Sequence, residues 1–576
     1  MQTAQSWLDE AYDQATRSEV IKMINGNQKE LEDAFYKNLE FGTGGLRGVV
    51  GAGTNRVNRY TIGMATQGLS NYILKCFPGK KMPAVAISYD SRHYSREFAE
   101  ITASVFSANG IKVYLFGELR PTPQLSFAVR HLGCVAGVMI TASHNPKEYN
   151  GYKVYWEDGA QIISPHDQNI IDEVTAVGDP SNVKFKRDDN LVVTLGKEID
   201  NSYLESLLTL SLSPEAISAF HDIPVVYTPL HGTGLKMVPE ILRRAGFTNV
   251  SSVSEQQEIN GDFPTVSSPN PEDPAALKMA MDLAVQKGAS LVLATDPDAD
   301  RIGVAVRGPG GNLMLLNGNQ TATLLTYYLL QRFLETGRIK KGVRNGGHYM
   351  VKTIVTTDLL GVIAEDYGVE MYNVLTGFKY IAAIVSANEG KRYFIGGGEE
   401  SFGFNAGEYV RDKDAVLSAL LVCEAAAWAA SQGKYLYDLL TDIYLKFGYF
   451  KERLISVTKK GVDGVARIQE IMRAIREKPF LSLAGSDTVL VHDYMRGETI
   501  DLVSDLRYRI NLPSSDVMQF VSSDNSMISV RPSGTEPKIK YYLAVRTRVN
   551  SKEELKKADT ELDSKLDRLA GQVLAL

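Results

Sequence analysis

The chain has 576 residues, of which 44% are hydrophobic and 23% are charged, and its net charge is −6. This length allows several domains, and the composition is that of an ordinary globular protein. The acidic balance and the lack of a basic tail exclude a generic nucleic-acid binder. Three widely separated cysteines exclude a disulfide framework and a cysteine zinc site: Cys76, Cys134 and Cys423.

No membrane association is expected. The most apolar stretch with a helical pattern, residues 415–430, contains Glu424 and is too short to cross a bilayer. The first residues carry early acidic side chains and lack the basic-then-apolar order of a secretion signal. We therefore expect a cytoplasmic protein.

The first chemistry-bearing loop follows the apolar run at residues 135–140. It reads Thr-Ala-Ser-His-Asn-Pro from residue 141, and Asn-Gly-Tyr-Lys follows from residue 150. A short apolar run bounded by turn residues predicts a buried strand, so Ser143 is expected in a polar turn at its end, with Lys153 close by. A nucleophile needs such exposure and a proton-transfer partner. The alternative is a plain turn, because these residue types are common in turns.

The second loop places three carboxylates after the apolar run at residues 291–294. Asp296, Asp298 and Asp300 occupy alternate positions. Oxygen-rich sites suit Mg²⁺ or Ca²⁺, but an EF-hand is excluded because Arg301 and Arg307 stand where that loop needs Gly and Glu. Mg²⁺ is favoured, since it takes few protein carboxylates together with phosphate oxygens. The alternative is a solvated acidic loop.

The third loop, Gly-Gly-Gly-Glu-Glu-Ser-Phe-Gly at residues 396–403, follows the strand-like run at 392–395. Two adjacent carboxylates would repel a phosphate, whereas they suit sugar hydroxyls, which both donate and accept hydrogen bonds. A tight structural turn is the alternative. Helical patterns lie between the three strands, and this alternation predicts α/β domains whose ligands bind beyond the carboxyl ends of the strands.

The C-terminal region differs in its pattern. Its polar loop contains Arg531, Ser533, Gly534 and Thr535, which together suit a phosphate group, although a surface turn is the alternative. A closing helix is predicted over residues 551–574, with one leucine face packed on its own domain. Boundaries near residues 205, 330 and 455 would divide the chain into domains 1–205, 206–330, 331–455 and 456–576.

These loops, in this order, resemble the α-D-phosphohexomutase superfamily. The motifs that carry the resemblance extend from Gly42 to Pro537 and so cover almost the whole chain. The resemblance implies an α/β fold of four domains around a central cleft. The first three would be related mixed-sheet α/β domains, carrying the serine, metal-binding and sugar-binding loops. The fourth would be a smaller α+β domain that carries the phosphate-binding loop.

The resemblance also implies residue roles. Ser143 would carry a phosphoryl group, and one of its oxygens would join the three aspartates around Mg²⁺. The catalytic set would further contain Lys153 as general acid/base, His144 beside the serine, and Arg47 and Arg301 as nearby cations. The residues that would contact the sugar phosphate are Lys379, Glu399, Ser401, Arg531, Ser533, Gly534 and Thr535.

The implied reaction interconverts α-D-glucose 1-phosphate and glucose 6-phosphate, with glucose 1,6-bisphosphate as activator and intermediate. Mannose-specialised members often carry a histidine at the position of Phe378, so the chain looks more like the phosphoglucomutase/phosphopentomutase subgroup. The alternatives are a phosphopentomutase, a phosphomannomutase, a glucose 1,6-bisphosphate synthase and a non-catalytic sugar-phosphate sensor. An aspartate-nucleophile phosphatase and a serine hydrolase are disfavoured by the residues around Asp298 and Ser143. Sugar phosphates are the expected partners, and the sequence does not indicate an oligomeric state.

Overall fold

The computed structural model describes residues 2–42, 44–458, 462–533 and 538–576. The chain divides into two units. The first unit contains Met1–Asn317, Ala382–Phe394 and Ser401–Gly433, and the second contains Gly318–Ile381, Ile395–Glu400 and Lys434–Leu576. No helix among the described residues is both long and apolar enough to cross a membrane.

The first sheet of the first unit has six strands: β1 (Gly45–Val49), β2 (Ala84–Tyr89), β3 (Lys112–Phe116), β4 (Ala136–Ile140), β5 (Tyr149–Trp156) and β6 (Val192–Leu195). Their spatial order is β1-β5-β4-β2-β3-β6. Strands β4, β2, β3 and β6 pair in parallel, whereas β5 is antiparallel to both β4 and β1. Every residue of β4 is buried, which explains why its sequence is apolar without alternation.

The helices described in this part of the chain are α1 (Gln2–Ser6), α2 (Gln14–Asn25), α3 (Gln28–Phe35), α4 (Arg59–Cys76), α5 (Ser95–Ala108), α6 (Thr122–His131), α7 (His166–Val177), α8 (Lys197–Leu208) and α9 (Pro214–Ala219). One apolar core joins α4 and α5 to the sheet, with Leu69, Phe106 and Val138 completely buried in it. This core fixes the strand ends from which the polar loops leave.

The second sheet repeats the design of the first. Its elements are β7 (Val225–Thr228), α10 (Gly234–Ala245), β8 (Val250–Ser252), α11 (Pro274–Lys287), β9 (Leu291–Thr295), β10 (Ile302–Arg307) and β11 (Leu313–Leu316). The order is β11-β10-β9-β7-β8, with parallel pairing of β9, β7 and β8 and antiparallel pairing of β10 with β9 and β11. In both sheets, therefore, the polar loop connects a buried parallel strand to an antiparallel neighbour.

The third group of elements spans residues 318–447: α12 (Gly318–Glu335), β12 (His348–Thr353), α13 (Leu359–Asp366), β13 (Glu370–Val374), α14 (Phe378–Asn388), β14 (Tyr393–Gly398), β15 (Phe404–Asn405), α15 (Ala415–Ala430) and α16 (Leu436–Phe447). Strands β12 and β13 pair in parallel. Strand β14 extends into the glycines of the third loop. At Gly397 the backbone passes so close to strand β12 that a Cβ atom would stand 2.0 Å from the Val351 carbonyl oxygen. That close approach explains the glycine at this position.

The C-terminal region is an antiparallel sheet with two helices: β16 (Tyr449–Thr458), α17 (Val462–Glu477), β17 (Ser482–Leu483), β18 (Ser486–Asp493), β19 (Glu498–Asp501), β20 (Arg507–Arg509), β21 (Met518–Ser522), β22 (Met527–Pro532), β23 (Lys538–Thr547) and α18 (Lys552–Leu574). The order is β16-β23-β22-β21-β18-β19-β20, and β17 pairs with β18. The closing helix is confirmed: Ser551 caps it, and Leu562, Leu566 and Leu569 are buried.

The alternation of strands and helices confirms the predicted α/β class. Residues 205, 330 and 455, near which we placed domain boundaries, lie inside α8, α12 and β16. Each boundary would have to move by several residues to reach a loop, so the division into four residue ranges stays a prediction.

Candidate active site

Ser143 stands in the loop that leaves the carboxyl end of β4. Its side chain is buried, and its backbone has φ 53°, in the left-handed region that residues other than glycine rarely adopt. Ser143 Oγ donates to Asp296 Oδ2 at 2.7 Å and lies 3.2 Å from His144 Nδ1. The Ser143 backbone N–H donates to Thr141 Oγ1 at 2.8 Å, and this hydroxyl donates to Asp90 Oδ2 at 2.6 Å. The hydroxyl of Ser143 is therefore held against the aspartate loop. Ser143 lies in a turn after the strand, but it is buried there rather than exposed as the sequence had suggested.

Arg92 also holds the serine loop, through hydrogen bonds to its backbone, and this residue was not predicted from the sequence. Its guanidinium donates to four backbone carbonyls of the loop, those of Ser143, Asn145, Pro146 and Tyr149. Its Nε lies 3.3 Å from Asp90 Oδ2, and both side chains are completely buried. A signal was present, because Asp-Ser-Arg at residues 90–92 follows the apolar strand β2, as the other polar loops follow theirs.

The three aspartates follow β9 and come together in the interior. One ligand oxygen from each of Asp296, Asp298 and Asp300 lies within 4.8 Å of the others, and all three side chains are buried. Asp296 Oδ1 accepts hydrogen bonds from the backbone N–H groups of Asp300 and Arg301 at 3.1 and 3.0 Å. Ala299, within the loop, also has a left-handed φ of 50°. This tight turn brings one oxygen from each of the three carboxylates close together.

Cations from distant parts of the chain surround the triad. Lys153, on β5, donates to Asp298 Oδ2 at 2.7 Å and lies 3.4 Å from Asp300 Oδ2. Lys413 lies 3.1 Å from the same oxygen of Asp300. Arg301 pairs with Glu272, and its Nε lies 3.9 Å from Asp300 Oδ1. Lys413 had not been predicted from the sequence.

These charges shift the pKa values within the cluster. Burial, together with the charges of Asp298 and Asp300, raises the pKa of Asp296 well above its usual range. Burial also disfavours ionised Asp300, but Lys413 and Lys153 outweigh it and hold the pKa of Asp300 well below its usual range. Burial opposes the charged form of Lys153, but Asp298 and Asp300 prevail and raise its pKa. Burial and the repulsion from Asp298 and Asp300 thus disfavour ionised Asp296, and a bound cation would offset that repulsion.

The remaining predicted catalytic residues lie on either side of Ser143. Arg47, on β1, donates to Asn145 Oδ1 at 3.1 Å and thereby reaches the serine loop. Burial, followed by the charges of Arg301 and Arg47, lowers the pKa of His144 well below its usual range. The shift favours the neutral imidazole of His144, which can accept a hydrogen bond.

The aspartate cluster fits a hard divalent cation. Its ligands are oxygens only, which suits Mg²⁺. Within the described residues, the buried oxygens Asp298 Oδ1 and Asp300 Oδ1 have no hydrogen-bond partner. Buried carboxylate oxygens are costly to leave unpaired, and coordination to a cation would satisfy them. The cluster is thus a site able to hold a metal ion, formed by Asp296, Asp298 and Asp300.

Most of the predicted sugar-phosphate residues belong to the second unit. Glu399 Oε1 accepts from the backbone N–H of Gly377 at 2.9 Å. Burial and the charge of Glu399 raise the pKa of Glu400 to about 7, although Lys540 and Arg531 oppose this shift. Arg531 on strand β22 stands opposite Lys540 on strand β23 in the antiparallel register. Carboxylates and cations are therefore close together in this unit, which suits a ligand with both hydroxyl and phosphate groups.

The other residues of this set are placed as follows. The Lys379 ammonium lies 5.3 Å from the centre of the Tyr380 ring, and the Ser533 N–H donates to the Lys538 carbonyl at 2.7 Å. Ser401 is half-buried and belongs to the first unit. Gly534 and Thr535 lie outside the described residues.

Three family models match this chain. They describe the phosphoglucomutase/phosphomannomutase alpha/beta/alpha domain I over residues 38–180, domain II over 201–310 and domain III over 317–447. The chain belongs to the phosphoglucomutase/phosphomannomutase family. The three matched domains and the C-terminal antiparallel sheet confirm the predicted fold class, and the family confirms the phosphohexomutase resemblance.

Members of the phosphoglucomutase/phosphomannomutase family with similar sequences are called phosphoglucomutases. One from Staphylococcus epidermidis is 38% identical over 533 residues, which cover 91% of this chain and 94% of that relative. Another from Staphylococcus aureus is 36% identical over 548 residues, which cover 94% and 95%. The similarity therefore extends over nearly the full length of both chains.

Two solved structures of the family share the fold. A putative phosphomannomutase from Thermus thermophilus is 24% identical, with a TM-score of 0.66 and coverage of 92% of this chain and 99% of that one. Parafusin from Paramecium, a phosphoglucomutase in its open form, is 18% identical, with a TM-score of 0.65 and coverage of 92% and 96%. These two similarities concern the fold alone.

Proposed function

We propose that the protein is a phosphoglucomutase, an intramolecular phosphotransferase that interconverts α-D-glucose 1-phosphate and glucose 6-phosphate. One observation carries the proposal: Ser143 Oγ, at the end of a buried strand, is hydrogen-bonded to a cluster of three buried aspartates. A serine next to a divalent-cation site is suited to carrying a phosphoryl group. Similarity to phosphoglucomutases over more than nine-tenths of the chain supports glucose phosphates as the substrates.

In the proposed step, the bond between phosphorus and Ser143 Oγ breaks as a bond forms to the free hydroxyl oxygen of the sugar phosphate. Lys153 is charged in this arrangement, so it would donate a proton to Ser143 Oγ and then accept the proton of the sugar hydroxyl. Bound Mg²⁺ would supply charge neutralisation around the transferring group. Arg47 and Arg301 would add to that neutralisation, and His144 would orient Oγ.

The product of that step is glucose 1,6-bisphosphate, which returns its other phosphate to Ser143 in the second half of the cycle. Both orientations of the sugar have to be accepted. We assign the sugar hydroxyls to Glu399 and Ser401, and the non-reacting phosphate to a clamp of Arg531, Ser533, Gly534 and Thr535, with Lys379 as a further contact. Sugar phosphates are the proposed partners, and a cytoplasmic location without nucleic acid or membrane stays a prediction.

The substrate assignment is tested by following the isomerisation of α-glucose 1-phosphate by ³¹P NMR, with Mg²⁺ and trace glucose 1,6-bisphosphate. Mannose 1-phosphate and ribose 1-phosphate are assayed in parallel. We expect the glucose compound to react fastest. Preference for ribose 1-phosphate would instead identify a phosphopentomutase, and accumulation of bisphosphate would identify a synthase. No reaction with any of the three would contradict a mutase.

Arg531→Ala is expected to raise the KM for glucose 1-phosphate roughly 10- to 100-fold, the effect of losing a hydrogen bond to a charged group. Phosphorylation of Ser143 by the bisphosphate should change less, because Arg531 is assigned to the non-reacting phosphate. Arg509→Ala is the matched control, since Arg509 is an exposed arginine on strand β20 of the same sheet. Equal KM values for both variants and the parent protein would remove Arg531 from the clamp.

A further inference from the structure

A cavity lies in the first unit, lined by residues that follow strands β2 and β3 and by the start of α5. Its volume is about 440 Å³, which is in the range of small-molecule sites. It lies beyond the carboxyl ends of strands β2 and β3, where α/β sheets bind ligands. Leu119, Leu235 and Ile259 form its apolar wall. None of the residues assigned to the reaction above lines it.

Two residues that line this cavity carry buried hydroxyl groups without a partner among the described residues. Ser91 and Thr233 are only 8% and 2% exposed, and both line the cavity. Within the described part of the chain, Ser91 Oγ and Thr233 Oγ1 have no hydrogen-bond partner. A buried hydroxyl without a partner is costly, and each such group in a native structure needs an explanation. A ligand that can donate and accept hydrogen bonds would provide one.

Most charged residues that line the cavity belong to ion pairs, but Arg96 at its opening does not form one among the described residues. Among the acidic lining residues, Asp90 pairs with Arg92 and Glu118 pairs with Lys236. Arg96 and Glu97, both exposed in the first turn of α5, line the opening and form no ion pair among the described residues. An arginine at the opening favours an anionic ligand, and the neighbouring glutamate weakens that preference.

Three segments that line the cavity also touch the catalytic loops. Arg92 donates to the Ser143 carbonyl. The loop that contains Leu119 continues to Thr122, whose hydroxyl donates to Asp298 Oδ2 at 2.8 Å. The N–H of Thr233 donates to the Pro297 carbonyl at 2.8 Å. The cavity lining is therefore joined by hydrogen bonds to the loops that hold Ser143 and the aspartates.

We propose that this cavity is a binding site for a small organic acid with a ring or other apolar body and a hydroxyl group, and that its occupation is coupled to the metal site. The apolar wall would hold the body of the ligand. Ser91 and Thr233 would bond its hydroxyl group, and Arg96 its carboxylate. The expected effect of Mg²⁺ on ligand binding rests on the proposed function, whereas binding of the ligand to the cavity does not.

The probe is 4-hydroxyphenylacetate, which has these groups and carries no phosphate to compete for the catalytic site. Binding is measured by saturation-transfer NMR and titration with the full chain. We expect Arg96→Gln to weaken binding roughly tenfold, the effect of one charge-assisted hydrogen bond. Glu97→Gln is the matched variant on the same helical turn, and we expect it to strengthen binding. Ile259→Trp, at the exposed rim, should fill the cavity and abolish binding.

Ser143→Ala should still bind the probe, and added glucose 1-phosphate should not displace the probe. Absence of binding to the parent protein, or unchanged binding in Ile259→Trp, would overturn the site. Displacement by glucose 1-phosphate would place the probe in the catalytic site and also overturn it. Saturating Mg²⁺ should change the Kd for the probe by about fivefold or more. An unchanged Kd would overturn the coupling.

Discussion

Ser143→Ala is expected to lower the turnover of α-glucose 1-phosphate by roughly 10⁴-fold or more, the size of the effect when an enzyme loses its nucleophile. Without Oγ, no atom at this position can carry the phosphoryl group. The three aspartates and the proposed substrate contacts remain, so the KM of any residual activity should change little. Turnover is measured by ³¹P NMR. Intact mass after incubation with glucose 1,6-bisphosphate shows whether a phosphoryl group is retained.

The fold should survive this substitution. It removes the hydrogen bond from Ser143 Oγ to Asp296 and the contact between Oγ and His144 Nδ1, each of which contributes on the order of 1 kcal/mol. Ser70→Ala is the matched control, because Ser70 is also buried and its Oγ donates to the Thr66 carbonyl at 2.7 Å, away from the candidate site. The control should keep parental turnover and take up a phosphoryl group. Near-parental turnover in Ser143→Ala would refute the phosphoserine mechanism.

The strands that present the chemistry were predictable from sequence because they are buried on both faces. The apolar runs at residues 135–140 and 291–294 correspond to β4 (Ala136–Ile140) and β9 (Leu291–Thr295), and all positions of both strands are buried. A strand of this kind has no polar residues until it ends. Its sequence therefore marks the strand and also the loop that follows it.

The backbone conformation of the loops was not predictable. Ser143, Ala299 and Phe402 each have a left-handed φ, and one of them lies in each of the three chemistry-bearing loops. None of these residue types favours that conformation, so the sequence gives no local signal for it. The hydrogen bonds of the surrounding loops impose it. Such conformations concentrate at functional sites, where the loop geometry matters more than local preference.

Contacts between distant segments were also missed. Lys413 contacts Asp300 from a segment more than a hundred residues away. Arg92 contacts the Ser143 carbonyl from the loop that follows strand β2. A single lysine or arginine in a polar loop has no spacing that identifies its partner. The sequence therefore indicated the groups that do the chemistry, whereas the groups that orient and neutralise them needed the fold.

Arg92→Met is expected to lower kcat roughly 100-fold, the effect of a displacement of about 1 Å at a catalytic group, while KM changes little. The guanidinium ties together four carbonyls of the serine loop, and methionine fills similar space without donating any hydrogen bond. The variant also leaves Asp90 buried without its cation. Breaking a buried ion pair in this way costs about 3–5 kcal/mol of the free energy of unfolding.

A double variant separates the two effects. Burial raises the pKa of Asp90 and lowers the pKa of Arg92 despite their mutual attraction, so each charge is costly to keep in the interior. Asp90→Asn combined with Arg92→Met removes both charges and should recover much of the stability, measured by urea unfolding. The carbonyls of the loop would still lack their donor, so kcat should stay low. If kcat recovered together with stability, Arg92 would only stabilise the fold. If kcat stayed low in a stable double variant while Asp90→Asn alone kept its kcat, Arg92 positions the serine loop for phosphoryl transfer. The single variant is needed because Asp90 also accepts from the Thr141 hydroxyl.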